Sequence, residues 1–170
     1  MDSFMVGLDV RDTGRTRVSI LEPAYDMTVE TFSFQTDGGP SVLERRLEAW
    51  SEQGIDIQIA ICVDDEWPYN VGLHLSQAWH ISHLHRSRID SICRRAEAIL
   101  ECRLRPHRSK LMAFMTKYDI LDAPCSDIAR RWAIRMAREF LFAACHEVRP
   151  YLQGKPRDPG AWQPRFLEAN

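Results

Sequence analysis

Residues 4–10, Phe4-Met5-Val6-Gly7-Leu8-Asp9-Val10, are apolar except for one acid near the end of the run. A short run of this kind is typical of a strand buried in a sheet. A carboxylate buried there without compensation costs several kcal/mol. We therefore expect Asp9 to lie beside a cation, a hydrogen-bond network or a cleft. Pairing with a nearby arginine at the strand end is the alternative.

The elements that follow alternate between strand and helix patterns. Residues in the strands alternate between apolar and polar or run continuously apolar, whereas the helices carry capping signals and helical spacing. We predict strands over 17–22 and 27–34, a helix over 41–53, a strand over 55–63, a short helix over 70–78, a strand over 79–84 and helices over 88–103 and 108–118. Three sequential strands followed by α/β units predict a mixed α/β sheet, and other α/β topologies stay open.

These elements divide the chain into three parts. Residues 1–105 hold all the predicted strands and form an α/β domain. Residues 106–150 form a helical extension. Residues 151–170 contain three prolines, so we expect an irregular tail there.

The net charge of −2 conceals an uneven distribution along the chain. Residues 1–66 carry 14 Asp+Glu and 5 Lys+Arg, whereas residues 67–170 carry 10 Asp+Glu and 17 Lys+Arg. An acidic half is suited to metal ions and a basic half to a polyanion. The alternative is that the two halves attract each other.

Nothing in the sequence indicates secretion or membrane insertion. No apolar run reaches about 18 residues, and the first residues lack the basic and then apolar pattern of a secretory signal. The five cysteines are odd in number and contain no CxxC pair, which disfavours a disulfide framework. We expect a cytoplasmic protein without a membrane partner. Its oligomeric state, a homo-oligomer included, stays open.

A second acidic group, Asp64-Asp65-Glu66, follows the apolar run of residues 55–63. If the first and fourth strands are neighbours, Asp9 and Asp64 lie close together. Mg²⁺ stabilises adjacent carboxylates, and two such ions about 4 Å apart support in-line phosphoryl displacement. The alternative for the acidic group is a solvated turn.

Three stretches of the chain share a pattern with one family. Residues 5–10 are similar to a G-[IL]-D-V strand, and Asp64, Tyr69 and Leu73 to an E-A-T-G-x-Y segment. Residues 85–91 are similar to K-T-D-R-I-D-A. Together, over about residues 4–100, they resemble the RuvC-like DEDD transposases of bacterial insertion sequences. The resemblance implies an RNase H-like mixed sheet, three antiparallel strands and then α/β units, which the helical extension of residues 106–150 follows.

The same resemblance implies a divalent-metal-dependent nuclease or a DNA strand-transfer component, as in transposases and resolvases. Asp9, Asp64 and Asp90 would be its catalytic, metal-binding carboxylates, holding Mg²⁺ or Mn²⁺. Glu66 or Asp127 would supply the fourth acid.

Two departures from the family support a different hypothesis. The family's third acid falls on Ser87, a poor metal ligand, and its second acid, a glutamate, is Asp64 here. The family's larger C-terminal domain, which carries a serine nucleophile, does not fit into 170 residues. The alternative is a catalytically inactive RNase H-like module that binds nucleic acid or a protein partner.

Basic residues are concentrated after the fifth predicted strand. Between residues 85 and 110 there are eight Lys+Arg and three acids. Arginines bind phosphates by charge and by bidentate hydrogen bonds. The predicted nucleic-acid-binding residues are Arg86, Arg88, Arg94, Arg95, Arg130 and Arg131. DNA is favoured over RNA as the partner, and a solvated helical face is the alternative for each cluster.

Overall fold

The computed structural model of the protein describes residues 3–11, 14–22, 28–35, 41–63, 78–103 and 108–152, with the backbone alone at 28, 29, 41 and 142–152. Over these ranges the elements are β1 Ser3–Val10, β2 Arg15–Leu21, β3 Thr28–Gln35, α1 Ser41–Glu52, β4 Asp56–Val63, β5 Ile81–His85, α2 Arg86–Leu100, α3 Arg108–Lys117 and α4 Cys125–Leu152. The predicted α/β class is confirmed. A short helix was predicted over residues 70–78, and residues 70–77 of it lie outside the described ranges.

The five strands form one mixed sheet in the order β3-β2-β1-β4-β5. The pairs β1–β2 and β2–β3 are antiparallel, whereas β1–β4 and β4–β5 are parallel. The first and fourth strands, β1 and β4, are therefore neighbours. Because β1, β4 and β5 run in the same direction, their last residues lie at one edge of the sheet, which we call the carboxyl edge.

One face of the sheet carries the main apolar core. Successive side chains of a strand point to opposite faces, so every second residue of β1, β2 and β4 contributes to this core. Leu43 and Leu47 of α1 are fully buried against it. The buried members are Val6, Leu8, Val10, Val18, Ile20, Leu43, Leu47, Ile57, Ile59 and Ile61.

The opposite face of the sheet carries helix α3, whose Ala113 packs with Met5 and Leu21. A Cβ atom built on Gly7 would lie 1.9 Å from the carbonyl oxygen of Ser109. The hydroxyl groups of Ser19 and Ser109 are 2.7 Å apart and buried. Glycine is therefore required at residue 7 because the backbone of α3 lies directly against β1.

The chain divides into two compact units. The first comprises residues 1–91 and 107–123, and the second residues 92–106 and 124–170. Helix α3 lies within the residues of the predicted helical extension. It packs on β1, β2 and β4 and is part of the first unit. Within the described part of the chain, no helix has the length and apolar character that crossing a membrane requires.

Candidate functional site

Asp9 lies at the carboxyl edge of the sheet, one residue before the end of β1. It is paired in register with Arg17 of β2 and Cys62 of β4, and its side chain is fully buried. The central strand thus places a carboxylate out of contact with water, where it needs compensation by charge or hydrogen bonds.

Arginine side chains from three separate parts of the chain surround the Asp9 carboxylate. Arg11 donates a hydrogen bond from Nε to Oδ2 over 3.1 Å, and Arg86 donates from Nη1 to Oδ1 over 2.9 Å. Nη1 of Arg108 lies 3.9 Å from Oδ2. Arg86 also donates from Nη2 to the carbonyl of Val10, which fixes its orientation. Each carboxylate oxygen therefore has a charged donor.

Asp90 is linked to Asp9 through Arg108. The Nε of Arg108 donates to Oδ1 of Asp90 over 2.5 Å. Burial lowers the pKa of Arg108, but the hydrogen bond to Asp90 and the negative charges of Asp90 and Asp9 outweigh burial and raise that pKa. The guanidinium group therefore stays charged. We call Asp9, Arg11, Arg86, Asp90 and Arg108 the Asp9 cluster.

The fold itself brings two of these arginines to the carboxyl edge. Arg86 is the first residue of α2, which begins directly after β5. Arg108 is the first residue of α3, and the next residue, Ser109, lies against Gly7 of β1. The position of Arg108 thus depends on the close packing of α3 on the sheet.

Cys62 is a buried thiol next to the Asp9 cluster. Its side chain is fully buried, and burial raises its pKa to about 12, with the charges of Arg86 and Asp9 acting in opposite directions. The neutral thiol is therefore favoured in the folded protein. Because the folded pKa lies above the ordinary value of 9.0, the corresponding stability is present below about pH 9 and is lost as the pH rises toward 12.

In the native protein at pH 8, iodoacetamide is expected to alkylate Cys62 at least about 100-fold more slowly than Cys125, because Cys62 is buried and its thiolate is rare. Cys125 is partly exposed. Peptide mass spectrometry after timed labelling measures both rates in one sample. In urea the two cysteines should react at similar rates, and fast labelling of native Cys62 would contradict its burial.

The six predicted nucleic-acid-binding arginines occupy three different environments. Arg86 belongs to the Asp9 cluster. Arg88 donates to the carbonyls of Leu121 and, over 2.8 Å, of Ala123, and so holds the segment that follows α3. The exposed members of the set are Arg94, Arg95, Arg130 and Arg131, all in the second unit.

The predicted metal-binding carboxylates are only partly brought together. Asp9 and Asp90 share a contact with Arg108. Asp127 is exposed in the first turn of α4, in the second unit, and Asp64 and Glu66 lie outside the described residues. Among the residues that the structure describes, no group of three or more His, Cys, Asp or Glu side chains is arranged to hold a metal ion. Guanidinium groups contact both Asp9 and Asp90.

Three residues of this site were missed by the sequence analysis: Arg11, Arg108 and Cys62. Arg11 carries a local signal, because side chains two residues apart on an extended chain point the same way. The position of Cys62 beside Asp9 could have been predicted by pairing the apolar run of residues 55–63 with β1. Arg108 has no local signal, since it is 99 residues from Asp9 in the chain.

Comparisons of the chain with protein-family models, with curated proteins and with solved structures find no match. The Asp9 cluster and the exposed arginines of the second unit are therefore the features from which a function can be inferred.

Proposed function

We propose that the protein is a non-catalytic RNase H-like module that binds nucleic acid. The order β3-β2-β1-β4-β5, with an antiparallel β1–β2–β3 meander and parallel β4 and β5, supports the RNase H-like assignment. The position of Asp9 on the central strand, as in the opening strand of the transposases that the chain resembles, supports it too.

The observation that carries the non-catalytic assignment is the pairing of Asp9 with arginines. Two unit charges 4 Å apart interact by about 4 kcal/mol at an effective dielectric constant of about 20, and a divalent cation experiences twice that from each guanidinium. Arg11, Arg86 and Arg108 all lie within 4 Å of the Asp9 carboxylate. A metal ion at Asp9 would have to displace them or bind against their repulsion.

The second unit supplies the surface for nucleic acid. It carries 12 Lys+Arg and 7 Asp+Glu, whereas the first unit carries 10 Lys+Arg and 17 Asp+Glu. Besides the predicted arginines, Arg138 of α4 is also exposed. Exposed guanidinium groups bind backbone phosphates irrespective of sequence. The resemblance makes DNA the first candidate, and we propose single-stranded and branched DNA as the probes.

Fluorescence anisotropy with labelled DNA and RNA tests this function. Binding is expected to weaken steeply with salt, and Arg130→Gln with Arg131→Gln should reduce the slope of log K against log salt by about 2. Arg15→Gln, an exposed arginine of the first unit, is the matched control and should leave the slope unchanged. Absence of binding to every nucleic acid would overturn the proposal in favour of a protein partner.

A parallel assay tests the non-catalytic assignment. Incubation of the same substrates with Mg²⁺ or Mn²⁺ should give no cleavage or strand transfer. In calorimetry, Mg²⁺ binding should not differ between the wild type and Asp9→Asn. Metal-dependent cleavage by the wild type, lost in Asp9→Asn, would establish the nuclease instead.

A further inference from the structure

The Asp9 cluster contains more positive than negative charge. Over the described part of the chain, its three guanidinium groups contact two carboxylates, Asp9 and Asp90. The three arginine side chains also keep contact with solvent, since Arg86 is 18%, Arg108 20% and Arg11 29% exposed. The cluster is thus a positively charged group that a solute can approach.

Among the residues that the structure describes, one buried donor of the cluster has no acceptor. Nη2 of Arg11 is shielded from solvent and, among the described residues, has no hydrogen-bond partner. A buried charged donor left without an acceptor is destabilising. The Nε of the same guanidinium is already held by Asp9. The planar group is therefore fixed in orientation with one donor unused.

The place of the cluster in the fold favours a negatively charged ligand. Helices α2 and α3 begin at Arg86 and Arg108, and neither has an acidic residue in its first turn. Helix N-termini carry a partial positive charge that favours anions. Open α/β sheets also bind their ligands beyond the carboxyl ends of their strands, which is where Arg11 and Arg86 lie.

We propose that the Asp9 cluster is an anion site that binds a phosphate group. Asp9 and Asp90 hold the arginines in fixed positions, and the partly exposed guanidinium group of Arg11 donates to a phosphate oxygen. Arginine is suited to this role because its planar fork matches the geometry of phosphate oxygens. This site is separate from the exposed arginines of the second unit and does not depend on nucleic-acid binding.

Calorimetric titration of the full chain with inorganic phosphate, at constant ionic strength set by sodium chloride, tests the site. Arg11→Gln is expected to weaken phosphate binding by about 10- to 100-fold, which corresponds to the loss of one charged hydrogen bond. Arg15→Gln is the matched control, because Arg15 lies across the same turn, with its carbonyl 3.2 Å from the amide of Arg11, and is exposed. It should bind phosphate like the wild type.

Two results would overturn the proposal: no phosphate binding by the wild type, or an equal loss in Arg11→Gln and Arg15→Gln, which would show a general effect of surface charge. Circular dichroism of Arg11→Gln verifies that the variant is folded. Should Arg11→Gln fail to fold, Arg11→Lys is titrated instead, since it keeps the charge but loses the fork; undiminished phosphate binding by it would also overturn the proposal.

A second arm separates the two sources of a phosphate group. Oligonucleotides of one sequence carrying either a 5′-phosphate or a 5′-hydroxyl compete with inorganic phosphate in the same titration. Competition by the 5′-phosphorylated strand alone assigns the site to a nucleic-acid terminus, and competition by neither assigns it to a free phosphate or small phosphate ester. Both outcomes support the anion site, whatever the anisotropy assay shows for the second unit.

Discussion

Replacing Gly7 with alanine is expected to lower the free energy of unfolding by about 3 kcal/mol or more. The new Cβ would lie 1.9 Å from the carbonyl oxygen of Ser109, 2.8 Å from its carbonyl carbon and 3.1 Å from the amide nitrogen of Ala113. All three are backbone atoms of α3, so no side-chain rotation relieves the overlap. The helix has to move away from β1, and its buried face loses contacts. Urea denaturation followed by circular dichroism measures the change.

Gly54→Ala is the matched control for this prediction. Gly54 has φ of +76°, and nothing lies within 4 Å of the place where its Cβ would be. Alanine there causes only backbone strain, which costs about 1–2 kcal/mol. A loss in Gly7→Ala no larger than that in Gly54→Ala would show that α3 does not lie against β1 as described.

The sequence predicted the sheet well because its signals are local. The apolar run of residues 55–63 and the alternating residues of β2 and β3 give each strand its own pattern. The need for glycine at residue 7 has no such signal. It arises from α3, about a hundred residues later in the chain.

For the candidate site, too, the local feature was predictable from the sequence, whereas the contacts with distant residues were not. An acid inside an apolar strand predicted a buried carboxyl group that needs compensation, and the structure shows Asp9 fully buried with arginines at both of its oxygens. Whether a metal ion or an arginine compensates Asp9 depends on which side chains the other elements bring to the carboxyl edge. Arg86 is one residue from Ser87, where the resembled family has an acid, yet no motif distinguishes an arginine that contacts DNA from one that contacts Asp9.

Arg86→Met is expected to lower the free energy of unfolding by about 3–5 kcal/mol. Methionine keeps much of the apolar stem of Arg86 but removes the hydrogen bonds from Nη1 to Asp9 and from Nη2 to the carbonyl of Val10. A fully buried carboxylate then loses the donor on its Oδ1. Urea denaturation at pH 7 measures the loss, and Arg15→Met, on an exposed residue, should change stability by less than about 0.5 kcal/mol.

A double-mutant cycle with Asp9→Asn separates the two hypotheses for Asp9. If Arg86 stabilises the Asp9 carboxylate, then Asp9→Asn is destabilising as a single variant, and adding Arg86→Met costs less than it does in the wild type. The coupling energy should reach about 2 kcal/mol or more, within the range for contacting charged residues. Carboxylates gathered for metal binding repel one another in the absence of metal, so neutralising Asp9 would then raise stability. A stabilising Asp9→Asn would therefore contradict the arginine pairing and favour a metal site at the carboxyl edge.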